Sequence, residues 1–109
     1  MEAIKVKNLK NEDPENLWDV IVDIRSVLGN PFEESKTITR DAALYAYDRY
    51  FYHRIKSNDT VFLDEICLLY RTYIKHGKLN LFCWCAPEQC HADVIKEHVE
   101  KTVKERIRF

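Results

Sequence analysis

Apolar and polar positions along the chain fall into six segments. Residues 4–9 alternate weakly, with Ile4, Val6 and Leu9 on one side and lysines between them, which predicts a short edge strand. The polar run NEDPEN at residues 11–16 predicts a turn. WDVIVDI, residues 18–24, is largely apolar and rich in β-branched side chains, as an interior strand should be. After the loop RSVLGNPF the period changes to helical. Thr39 is a good N-cap for a helix from Arg40 to about Ile55, with Leu44, Tyr47, Phe51 and Ile55 on one stripe. A second helix is predicted from Val61 to His76, with Leu63, Ile66, Tyr70 and Ile74 as its stripe and Gly77 as its terminator. Cys67 is expected on the apolar side of that helix. Residues 79–84 are apolar on both faces except for Asn80, which predicts a covered central strand. A last helix runs from about Cys90 to Ile107, with Ile95, Val99, Val103 and Ile107 on one face.

The order β-β-α-α-β-α predicts a small, three-layer-like α/β domain spanning residues 1–109. Its second and third strands, joined by two helices, should be parallel, adjacent or nearly so, and linked by a right-handed crossover. Ligands of such sheets bind beyond the carboxyl ends of the strands. The loops leaving those ends are RSVLGNPF and CAPEQCH, and between them they hold nearly all the unusual residues of the chain.

Composition narrows the function. The 17 Lys and Arg against 18 Asp and Glu give a formal net charge of −1, so nucleic-acid binding is not indicated. No run approaches a membrane span, and the N-terminus lacks an apolar signal region. A cytoplasmic protein is therefore expected, where four cysteines serve packing, metal binding or catalysis more often than disulfides.

The stretch LFCWCAPEQCH at residues 81–91 concentrates that chemistry. Strand alternation sends Cys83 and Cys85 to one face and Trp84 to the other. Cys83, Cys85, Cys90 and His91 could supply a zinc set, but their C-x-C-x4-C-H spacing departs from the paired knuckles of structural sites, and no metal or other cofactor is expected. Cys90 and His91 open the last helix, whose free N–H groups attract anions and favour a thiolate. They are the candidate nucleophile and general base should the protein be an enzyme. The competing reading makes Cys90 a buried cap residue and His91 a histidine bonded to the neighbouring strand. Asp93 complements the same helix end. Arg25, directly after an interior strand, is the best candidate to hold an anion, with an ion pair to a carboxylate as the alternative. Arg40 lies in a helix first turn, where a cation is mildly disfavoured unless something holds it. Asn30 either caps its loop or faces a ligand. Phe32 and Trp84 would wall the site. The tyrosines of the first long helix and Phe51 are expected mostly in the core.

Arg25 with Gly29-Asn30-Pro31-Phe32, and Cys83-Trp84-Cys85-Ala86-Pro87 with Cys90-His91-Ala92-Asp93, resemble the hallmark loops of a family of small bacterial and phage domains of unknown function. The resemblance covers about residue 18 to the end of the last helix. Members often carry a glycine beside the arginine, whereas residues 23–25 here have none. The family's α/β character and phage context imply nucleotide-like ligands, and if the protein is phage-encoded the cytoplasm expected above is that of the bacterial host. Three readings follow: binding of an anionic small molecule between the two loops, a non-enzymatic module that binds a host protein, and a zinc or thiol-redox site. The second would show an exposed apolar patch on a helix face.

Overall fold

The computed structural model describes residues 3–23, 25–32, 39–84 and 90–107. Cys85 and loop residues 86–89, and Ile24 at the expected end of the second strand, lie outside the described residues. Three strands, β1 (Ile4–Asn8), β2 (Asp19–Ile21) and β3 (Leu79–Cys83), form one parallel sheet in the order β1-β3-β2. Helices α1 (Arg40–Lys56) and α2 (Thr60–His76) connect β2 to β3, and α3 (His91–Ile107) follows β3. The expected element order and the expected parallel pair of second and third strands are both present.

β3 is central, and all five of its residues are buried. Its register sets the two faces. Ile4 lies beside Leu79, and Val6 and Val20 flank Leu81. These residues, with Cys83 and Val22, belong to or pack on the core that includes Tyr47, Phe51, Phe62, Ile66, Leu69, Ile95 and Val99 of the helices. By alternation Asp19, Ile21, Asn80 and Phe82 take the other face. There the Asn80 amide donates to Asp19 at 2.7 Å, satisfying a polar group on an otherwise apolar strand.

Helix ends follow the sequence closely. Thr39 accepts from the Ala42 N–H at the start of α1, and Asp59 accepts from the Phe62 N–H at the start of α2. Gly77 closes α2 in the left-handed region, at φ 73°. The core stripe of α2 departs from expectation. Phe62, Ile66 and Leu69 are buried, whereas Cys67 and Ile74 are exposed. The alternative stripe places the larger Phe62 inside, and at 3.6 residues per turn Ile74 then rotates to the solvent side. On α1, Tyr47 and Phe51 are buried as expected, but Tyr45 and Tyr52 are exposed.

Candidate functional site

The carboxyl ends of β2 and β3 meet at Asp23. Val22 extends the ladder one residue past β2, its N–H donating to the Phe82 carbonyl at 2.9 Å. The next side chain, Asp23, falls by alternation on the face away from the helices, as does Trp84 beyond β3. The buried Asp23 carboxylate collects three partners. The Arg25 guanidinium donates through Nε at 3.1 Å and Nη2 at 2.8 Å, a forked pair, and the Arg25 backbone N–H donates at 3.0 Å. The Trp84 indole N–H donates at 2.9 Å. One carboxylate thus holds a cation and an aromatic ring side by side across two strand ends, while Arg25 stays 61% and Trp84 51% exposed.

The Arg25 hydrogen bonds dominate the electrostatics of Asp23, outweigh its burial and hold its pKa at about 2, so it is ionised at neutral pH. Asp23 in turn raises the pKa of Arg25. Arg25 Nη1 has no hydrogen-bond partner among the described residues, so the fork is fixed on one side and open on the other. Trp84 is anchored through its backbone as well, because its carbonyl accepts from the Asn8 amide at 3.3 Å.

The start of α3 supports this cluster from the core side. His91 is buried and its Nε2–H donates to the Val22 carbonyl, fixing the residue just before Asp23. Burial lowers the pKa of His91, favouring the neutral ring, and the bond to Val22 assigns the proton to Nε2. Cys90 is buried, and its N–H donates to the Asp93 carboxylate at 2.8 Å, the reciprocal half of a helix cap. Its sulfur lies 3.3 Å from that of Cys83, which is also buried. Edge-on contact with Tyr47, at 5.2 Å between ring centroids, completes the surroundings of His91.

The GNPF loop is held from α1. The buried Tyr47 hydroxyl donates to the Leu28 carbonyl at 2.6 Å, and burial drives its pKa upward. Asn30 accepts from the Phe32 N–H at 2.8 Å, so here it caps its own loop. Phe32 turns toward α1 and stacks edge-on against Tyr50 at 5.7 Å. There it lines a groove of about 800 Å³ with Tyr45, Arg49, Tyr52, His53 and Lys56. Arg40 opens α1 in a half-buried position.

Of the residues singled out by sequence, the structure therefore brings Arg25 and Trp84 together, with His91 directly behind them. Cys90 and Asp93 belong to the supporting cap, Asn30 caps its own loop, Phe32 faces α1, and Cys85 lies outside the described residues. Among the described residues no three His, Cys, Asp or Glu side chains gather as a metal set. Asp23 was missed by sequence reasoning. The signal for it was local: an aspartate two residues before an arginine at a strand exit suits an Asx turn, and Asp23 indeed accepts from the Arg25 N–H while its carbonyl accepts from the Ser26 N–H.

A family model described as "Domain of unknown function (DUF4326)" matches residues 5–101. The site thus sits on a small parallel α/β domain, and the chain belongs to the DUF4326 family. Comparison with curated proteins and with solved structures returned no match.

Proposed function

We propose that the protein binds an anionic, ring-bearing small molecule of nucleotide type at the strand ends, with Arg25 taking the anion and Trp84 the ring. One observation carries this reading: a single buried carboxylate holds an exposed guanidinium and an exposed indole side by side. Such pre-organisation removes the entropy cost of ordering two large side chains on binding. The open Nη1 edge suits a phosphate or carboxylate oxygen, and an indole face suits a planar ring. Binding, rather than catalysis, is favoured because Cys90 and His91 are buried beneath the cluster. A thermal-shift series with adenosine and guanosine mono- and triphosphates, and inorganic phosphate as control, tests it. A saturable rise in Tm is expected, lost in Arg25→Ala. No rise at millimolar ligand, or an equal rise in Arg25→Ala, contradicts the assignment.

A second reading, docking to a protein partner, is favoured by a separate feature, the exposed apolar residues of α2.

A further inference from the structure

The exposed face of α2 carries Val61, Leu68 and Ile74, which are 60%, 48% and 66% exposed, together with the exposed Cys67. Two opposite charges, Asp64 and Arg71, lie between them, also exposed. Neither carries an ion pair or hydrogen bond to a side chain among the described residues. Along the helix this face reads apolar Val61, acidic Asp64, apolar Cys67 and Leu68, basic Arg71, apolar Ile74, at intervals of three residues around a central adjacent pair. From Val61 to Ile74 the pattern reads the same from either end except that the sign of the charge is reversed; one step further out, exposed Thr60 stands at the mirror position of exposed Lys75. A surface of that kind is complementary to itself when turned end for end.

We propose that α2 is a homodimerisation surface whose occupant is α2 of a second copy, packed antiparallel about a two-fold axis passing between Cys67 and Leu68. Such an isologous contact places every residue opposite its mirror position in the sequence. Asp64 then faces the second copy's Arg71, and Arg71 its Asp64, so two ion pairs form at once. Leu68 comes to the level of the second copy's Cys67, and Val61 to that of its Ile74 at each end. A parallel arrangement would instead set Asp64 against Asp64 and Arg71 against Arg71. Charge therefore selects both the partner and the orientation. The two Cys67 residues lie one residue apart along the axis, about 1.5 Å of rise, on the same side of the seam. A single helix face of this length makes a small interface, so the dimer should be of micromolar strength and visibly concentration-dependent.

Sedimentation velocity of the full chain from about 1 to about 300 µM tests it, the range bracketing that affinity. The wild type should shift from monomer to dimer with concentration. Asp64→Arg alone and Arg71→Asp alone should each weaken association at least tenfold. An equimolar mixture of those two variants should recover it, because each then supplies the charges that the other lacks. The double exchange within one chain should recover it as well. All these side chains are exposed, and circular dichroism confirms that each variant is folded. Should either single variant fail to fold, wild-type chain treated with the diazene oxidant diamide decides instead. Two Cys67 thiols would each give up one proton and one electron to the diazene, forming a disulfide and the corresponding hydrazine. The resulting covalent dimer should be absent in Cys67→Ser. Wild type that stays monomeric at 300 µM overturns the proposal. So does dimerisation untouched by the single exchanges, a mixture that fails to recover association, or capture of a different protein with no self-association.

Discussion

Asp23 is the residue on which most of the site depends, since it is a buried carboxylate with two side-chain donors. Asp23→Asn keeps the shape but removes the charge that holds Arg25. We expect a loss of about 1–3 kcal/mol in urea denaturation, together with ligand affinity reduced as far as in Arg25→Ala. Because its folded pKa of about 2 lies below the unfolded value near 3.9, its stabilisation is complete above about pH 4 and disappears between about 4 and 2. His91 acts in a higher window. Burial depresses its pKa below the usual value near 6.5, so the unfolded chain takes up the proton first and stability falls as pH drops below about 6.5. Urea midpoints at about pH 7.5 and 5.5 should reveal that slope. His91→Gln, which keeps a donor near the Nε2 position but does not titrate, should flatten it. An undiminished slope would remove His91 as its source.

At the level of elements, helix ends were the most legible feature. Thr39 and Gly77 do what their residue types predict, because caps are decided by local geometry. Gly77→Ala should cost about 1 kcal/mol in chemical denaturation, the penalty for an L-residue in the left-handed region. An added Cβ would meet nothing within 4 Å, so a larger loss would contradict a purely conformational origin. The face of α2 was not legible, since two overlapping apolar stripes compete there and only the position of the sheet decides between them. Leu63, Ile66, Tyr70 and Ile74 make as good a periodic set as the one containing Phe62 and Leu69. The contact of Tyr47 with the GNPF loop was hidden as well, because 19 residues separate donor and acceptor. Tyr47→Phe should cost about 1–2 kcal/mol by leaving the Leu28 carbonyl unsatisfied, measured by urea denaturation, with a change in amide-exchange protection confined to residues 26–32.

For the molecule as a whole, the parallel sheet followed from the sequence because two helices between strands leave a crossover as the simple connection. The position of β1 did not follow, since a ten-residue link carrying it past β3 to β2 has no periodic signature. The same limit explains the site. CWC and GNPF pointed to the right strand ends, but parity along the strands divides them. Cys83 goes inward, where its sulfur meets that of Cys90, while Trp84 goes outward to Asp23. Among the described residues the motif is thus half support and half surface, and its outward half, Trp84, lies exposed beside Asp23 and Arg25 at the strand ends. The most direct test of that division is a ¹H–¹⁵N titration of the two tryptophan indole N–H signals with the nucleotides and phosphate named above. The Trp84 signal, hydrogen-bonded to Asp23, should move and saturate, while that of Trp18 stays in place and Arg25→Ala abolishes the response. A Trp84 signal unmoved at millimolar concentrations of every nucleotide would contradict an anion-binding site at these strand ends.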